Sequence, residues 1–342
     1  MSQMEEFSLR VLYLSLLLMA GAVIGAGIDA SAAPTKASPD PHIIQLQVTL
    51  DRLGFSPGVI DGRSGATLRL ALSGFQRAND LPVTGALDRK TRDALAKLTV
   101  SPAVTAIRLT PADLAGPFIG PLPKEEADQA ALPALGYANA LEMLAERYHT
   151  TAETIIALNT PRTRTLAGAV INVPNVINPA HDYPAAMPAA YRQILTGLHV
   201  PSGLPPADHL VVSKSKGSLS VLDGQDRLIA QFPVTTGSEH DPLPIGRWKI
   251  TGASYNPQFH YNPKLFWDAK KGDRKAMIQP GPNNPVGIIW LDISKPHYGI
   301  HGTPEPQNIG RSESHGCIRM TNWDAGRLSL MVKPGIPAIF ER

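Results

Sequence analysis

The sequence predicts a multidomain α+β protein, helical over its first third and mainly β over its last 135 residues or so. Three observations carry this. Apolar residues recur at helical spacing between Ile43 and Leu98. A short mixed segment at 136–176 pairs two helical patterns with one strand-like run. From Asp208 onward, brief β-rich runs are punctuated by Gly, Pro and Asn turns.

In the first segment, Ile43, Leu46, Leu50 and Leu53 fall at i, i+3, i+7 and i+10, one stripe of a helix ending near Gly54. A second pattern spans 64–79, with Leu68, Leu72 and Phe75 on one face. A third follows Asp88, a side chain suited to N-capping, and carries Ala94, Leu95 and Leu98. Asp61-Gly62 and Thr84-Gly85 supply the turns before the second and third helices. Residues 100–135 are rich in Pro and Ala and read as a linker, as do residues 177–207. Between them, 141–148 and 151–159 read as helices and 169–174 as a strand. The last segment offers strands at 209–213, 218–222, 228–235, 248–251, 286–293 and 336–340, with Asp223-Gly224 as a tight hairpin turn.

Composition excludes several classes. Of 342 residues, 43% are hydrophobic and 18% charged, the make-up of a globular protein. The formal net charge is only +3 and the basic residues are scattered, so nucleic acid is not an expected partner. Residues 1–33 read as a targeting segment. An eighteen-residue apolar stretch, Val11 to Ile28, precedes the small-residue run Asp29 to Ala33, the pattern of a secretory signal. Glu5 and Glu6 offset Arg10, and the length also suits an uncleaved membrane anchor. Either reading places the chain outside the cytoplasm, in the periplasm or cell envelope. Cys317 is the sole cysteine, so no internal disulfide exists. An unpaired thiol in an oxidising compartment is a candidate for chemistry more than for packing.

Its surroundings support that. Ile300-His301-Gly302-Thr303 leads into a polar loop, and Ser314-His315-Gly316-Cys317-Ile318-Arg319-Met320 follows. Histidines stand sixteen and two positions before the thiol, and a nearby imidazole either lowers a thiol's pKa or takes its proton. Gly316 lets a substrate approach the backbone closely, and the amides of Gly316 and Cys317 could donate to an oxyanion. Zinc held by His301, His315 and Cys317 is the alternative, but no fourth ligand sits at a convincing spacing. Ser314 is a weaker nucleophile than the thiol three residues on, and His297 reads as a satisfied core residue.

This arrangement resembles the L,D-transpeptidase (YkuD) catalytic domain over about 208–342, with Asn322 and Asp324 following the motif. The upstream pieces Thr236-Gly237, Leu243-Pro244-Ile245-Gly246 and Asn284-Pro285-Val286-Gly287 belong to the same likeness. The resemblance implies Cys317 as acyl-accepting nucleophile and His301 as proton donor and acceptor, oriented by the carbonyl of Gly302. It assigns Ser314, His315, Gly316 and Arg319 to shaping the site, with no metal and no cofactor. It further implies peptidoglycan as partner, a stem tetrapeptide as acyl donor and an amine as acceptor.

Residues 42–99 resemble a three-helix peptidoglycan-binding domain through Leu46, Leu50, Leu53-Gly54-Phe55, Gly58 to Gly62, Phe75-Gln76 and Thr84-Gly85. Residues 136–176 resemble a LysM-like module whose opening strand is replaced by Leu135-Gly136-Tyr137. Alternatives within the same fold are a carboxypeptidase or amidase, and outside catalysis a wall-binding protein. The acyl acceptor, signal cleavage and oligomeric state are not encoded legibly.

Overall fold

Helix α1 (Pro41–Arg52) begins where the side chain of Asp40 accepts from the amides of His42 and Ile43, with Pro41 in the first turn where no amide is needed. It is followed by α2 (Ala66–Ala78) and α3 (Arg89–Ala96), the last capped by Asp88, whose carboxylate accepts from Thr91 N. The computed structural model describes residues 38–98, 101–160, 163–267 and 269–342. The leader read at 1–33 lies outside the described residues.

The expected single stripe on α1 is half of what the helix does. Leu46 and Leu50 join Phe55, Leu68, Leu72, Phe75 and Leu95 in one core. Ile44 and Val48, on another side, enter a second core with Leu144, Tyr148, Ile155, Ile171 and Val173. Helix α1 thus serves two cores at once. Leu98, expected on the buried face of α3, is 45% exposed.

The stretch expected to be a linker at 100–135 is structured. It holds strand β1 (Val104–Arg108) and the short helix α4 (Glu126–Ala130). After it come α5 (Ala140–Arg147), α6 (Ala152–Leu158) and β2 (Val170–Pro174). Strand β1 pairs antiparallel with β2, Val104 opposite Pro174 and Arg108 opposite Val170. The strand that pairs with β2 therefore lies some thirty residues earlier than Leu135-Gly136-Tyr137. The pairing partner is far away in sequence, and a Pro- and Ala-rich composition conceals it. The second linker, 177–207, contains α7 (Ala189–Gly197), whose Tyr191 and Leu195 are buried in the main core.

The C-terminal region contributes β3 (His209–Ser213), β4 (Ser218–Leu222), β5 (Leu228–Pro233), β6 (Gly246–Tyr255), β7 (Phe259–Tyr261), β8 (Ala276–Ile278), β9 (Ile289–Ile293), β10 (Gly299–His301), β11 (Ile318–Arg319), α8 (Asn322–Met331) and β12 (Pro337–Glu341). Eight strands form one sheet in the order β11-β10-β9-β6-β12-β3-β4-β5, and β7 and β8 form a separate hairpin. The β4–β5 connection is longer than a two-residue turn. Asp223 closes it by accepting from the amides of Gln225 and Arg227, and Asp226, not Gly224, takes the positive φ.

An edge strand such as β5 exposes unpaired backbone groups. Here Gly54 O accepts from Gln231 N and Ser56 N donates to Gln231 O, so the Leu53-Gly54-Phe55 segment extends the sheet. Leu228 of β5 completes the core beneath α1 and α2. Residues Ser38–Arg342 form one compact unit.

The deepest contact between these parts is ionic. Arg327 of α8 makes two hydrogen bonds to Asp51 of α1, at 2.9 and 2.7 Å, and a third to Asp324 at 3.3 Å. Ser56 donates to Asp324 at 2.7 Å, and a ring nitrogen of His149 meets Asp51 at 3.1 Å. Burial works against the Asp51 carboxylate, but Arg327 and His149 outweigh it and hold its carboxyl well below the usual range. Removing one partner of such a pair strands the other charge. Asp51→Ala should cost about 3–5 kcal/mol of unfolding free energy in a urea titration of the full chain. Asp93→Ala, which breaks the solvent-exposed pair with Arg89, should leave the midpoint almost unchanged. A similar small change in both variants would refute the role given to the buried pair.

Candidate active site

The site forms where β10 runs into Gly302 and the polar loop 304–317 returns into β11. Strands β10 and β11 pair in parallel, Ile300 with Ile318 and His301 with Arg319. Side chains alternate along a strand, so Cys317, two positions before Arg319, falls on the face that Arg319 shares with His301. On its other side β11 is held by Thr235, whose amide donates to Arg319 O and whose carbonyl accepts from Arg319 N. Ser314 N donates to Thr236 O one step further along.

His301 is buried, 4% exposed, and its ring stacks on Trp290 of β9 at 5.2 Å between centroids. Its Nδ1 lies 2.7 Å from Gly302 O, a pure acceptor. That bond fixes the proton on Nδ1 and leaves Nε2 as the basic nitrogen. Burial, joined by the positive charge of Arg319, pushes the imidazole down to about 3, and the Gly302 carbonyl offsets only part of this. The ring is therefore neutral at physiological pH.

Cys317 Sγ points toward His297 O at 3.9 Å. Burial pushes the thiol up from its ordinary value, while the Gly299 backbone and Arg319 pull the other way. A neutral imidazole and a protonated thiol presented on one sheet face suit proton transfer during attack, unlike a preformed thiolate–imidazolium pair.

The turn before Cys317 is locked by one hydroxyl. Ser314 Oγ donates to Cys317 O at 2.6 Å and accepts from Gly316 N at 3.2 Å. The Gly316 amide, expected to serve an oxyanion, is thus already committed. The Cys317 amide has no acceptor among the described residues and remains the donor that this turn presents. Gly316 has φ 99°, and a Cβ there would meet Tyr298 Cε1 at 2.6 Å, so the ring and the turn fit only around glycine.

Residues 207–339 match the L,D-transpeptidase catalytic domain, YkuD, and residues 39–95 match the Putative peptidoglycan binding domain. The Putative L,D-transpeptidase YkuD of Bacillus licheniformis is 32% identical over 142 residues, covering 42% of this chain and 69% of that protein. Its namesake in Bacillus subtilis is 30% identical over 158 residues, 46% of this chain and 79% of that protein. The chain belongs to the L,D-transpeptidase family. Among solved structures, the L,D-transpeptidase from Xylanimonas cellulosilytica is 14% identical with a TM-score of 0.37, covering 90% of this chain and 96% of that one. L,D-transpeptidase 3 from Mycobacterium tuberculosis, in complex with a faropenem-derived adduct, is 18% identical with a TM-score of 0.32, covering 52% and 76%.

In this L,D-transpeptidase all seven residues singled out from sequence gather at the β10–β11 corner. The ring of His315 meets the β7–β8 hairpin, 5.0 Å from Phe266 and 6.4 Å from Trp267. Trp267 also stacks on His240 at 4.5 Å. His297 is not a core residue. It is exposed, with φ 67°, and presents its carbonyl to the thiol. Sequence reasoning missed Trp290 and Tyr298, since neither lies in the motif; strand register brings Trp290 opposite His301, and Tyr298 packs against Gly316. They also line a pocket of about 380 Å³ together with Asp292, Lys295 and His297.

The raised thiol has a direct kinetic signature. Alkylation of Cys317 by iodoacetamide should be slower than that of a free cysteine near neutral pH and keep rising as pH passes about 9. A plateau already reached at neutral pH would identify a thiolate–imidazolium pair and refute the assignment.

Proposed function

We propose that the enzyme transfers acyl groups of peptidoglycan stem peptides through a Cys317 thioester. The observation that carries this is the His301 Nδ1–Gly302 O bond, which aims the free Nε2 of a neutral imidazole at the sheet face bearing Cys317. In the first step His301 Nε2 takes the thiol proton as sulfur attacks the carbonyl carbon of the third stem residue. The Cys317 amide donates to the oxygen that becomes negative. The C–N bond to the terminal D-alanine then breaks, and His301 returns its proton to the leaving amine. In the second step an acceptor amine attacks the thioester carbonyl, gives a proton to His301, and the thiolate leaves and is reprotonated. In the family the donor residue is often diaminopimelate, and the acceptor can be a neighbouring stem.

The helical region at 39–95 would hold the enzyme on its insoluble substrate, raising the effective concentration of stems around the site. We read the β1-α5-α6-β2 unit as LysM-like on the strength of its antiparallel strand pair flanking two helices. Glu146 of its α5 accepts a hydrogen bond from Asn322 of α8, which favours docking as the role of this unit. Export follows from the reading of residues 1–33. A C-terminal fusion to a reporter active only outside the cytoplasm should be active, and activity of a cytoplasmic reporter alone would exclude export.

Faropenem, whose strained carbonyl offers the same C–N bond to sulfur, tests the mechanism. Wild type should gain one adduct visible by intact mass. Cys317→Ser should gain none, since a hydroxyl supplies no comparable anion. His301→Ala should acylate about 10²–10⁴-fold more slowly, the usual scale for a lost acid–base group. An adduct on Cys317→Ser, or an unchanged rate in His301→Ala, would overturn the assignment.

A further inference from the structure

The bond that orients His301 has a support of its own, and that support comes from outside the transpeptidase sheet. Gly302 O takes the Nδ1 proton of His301, so the carbonyl's direction sets the direction of Nε2. Against Gly302 lies the side-chain amide of Asn322, the first residue of α8. A Cβ placed on either Gly302 or Gly287 would collide with Asn322 Oδ1. Asn322 is fully buried, and its orientation is set by three hydrogen bonds. Its Oδ1 accepts from Ile288 N at 3.2 Å, and its Nδ2 donates to Pro282 O at 3.2 Å. The third and shortest runs from Nδ2 to Glu146 Oε1 at 2.5 Å.

Glu146 stands on α5, 176 residues before Asn322. It too is buried, and burial pushes its carboxyl up to about 7, offset in part by hydrogen bonds from Tyr137 and Asn322. Nearby, His149 stacks on Trp323 at 4.9 Å with the rings 7° from parallel, which fixes the end of α5 against the start of α8. A buried carboxylate is a costly way to fill space unless its oxygens are needed as acceptors.

We propose that Glu146 is a positioning residue for catalysis, through which the α5–α6 module holds Asn322, Gly302 and hence the imidazole of His301 in register with Cys317. The module on this view completes the active site in addition to any contact with the wall. The inference rests on His301 being the proton-transfer group. Misplacing a catalytic group by about 1 Å costs on the order of 10²-fold in rate.

The test uses the full chain and two reactions at the same thiol. Faropenem acylation near neutral pH needs His301 to take the proton. Iodoacetamide alkylation at alkaline pH does not, because hydroxide has already formed the thiolate. Glu146→Ala should slow acylation about 10- to 100-fold and leave alkaline alkylation within about twofold of wild type. Glu146→Gln keeps an oxygen for Asn322 Nδ2 and should restore acylation to within about threefold. Wild-type acylation in Glu146→Ala would overturn the proposal. So would equal loss of both reactions, which marks a purely structural defect, or a Glu146→Gln enzyme as slow as Glu146→Ala. His301→Ala is run alongside: if it acylates at the wild-type rate, the reading of the site fails and takes this inference with it. If only Glu146→Ala is unimpaired, the site stands and the positioning role falls.

Discussion

A buried guanidinium has to have carboxylates beside it, and Arg327 sits at the centre of α8 with almost none of its side chain exposed. Helix α8 carries Asn322, Asp324 and Arg327 into the interior, and nearly all of its residues are buried. The helix has no solvent face on which to park polar groups. The partners arrive from elements that precede the transpeptidase region: Glu146 for Asn322, Ser56 for Asp324, Asp51 for Arg327. The N-terminal helices and the β1–β2 unit are thereby bound to the catalytic region through polar groups that cannot be left without them. The apolar cores follow the same plan, with α1 shared between two of them and Leu228 inserted beneath α2.

This construction changes what the accessory modules are for. Modules on flexible linkers raise local substrate concentration and little else. Modules that pair with the helix following the catalytic motif also set its position. The segment around Leu135, with the composition of a linker, braces the other side of the site. Leu135 N donates to Pro280 O and Leu135 O accepts from Asn283 N, tying the base of the β7–β8 hairpin whose Phe266 and Trp267 face His315. Leu135, Tyr261 and Ile278 form a small core there.

The protonation state of the pair has a consequence for survival of the thiol. Burial raises Cys317 and lowers His301, so both rest neutral. A thiol held protonated reacts slowly with oxidants as well as with electrophiles, because the thiolate is the reactive form in both cases. On the proposed mechanism, reactivity is then confined to a substrate whose carbonyl is delivered to sulfur while His301 Nε2 takes the proton. The Ser314 hydroxyl meanwhile ties the turn together through Cys317 O and Gly316 N.

The sequence by itself determined the parts whose physics is local. Helices α1 to α3 were legible because their apolar spacing and the cap Asp88 act within one or two turns, whereas the Asp40 cap came only with the structure. Cys317, His301, Gly302, Ser314, His315, Gly316 and Arg319 were legible because they fall within nineteen residues, on two strands that pair directly. Tertiary structure decided the rest. Strand β1 acquires meaning only from β2, more than sixty residues later, and its Pro- and Ala-rich surroundings carry no periodicity of their own. Trp290 reaches the site through strand register, Tyr298 by packing against Gly316, His297 through a left-handed backbone turn, and Asp51 meets Arg327 across 276 residues. A residue type states which bonds a side chain is able to make; whether Glu146 must make one depends on the loss of water around it, and that is settled only when distant segments pack.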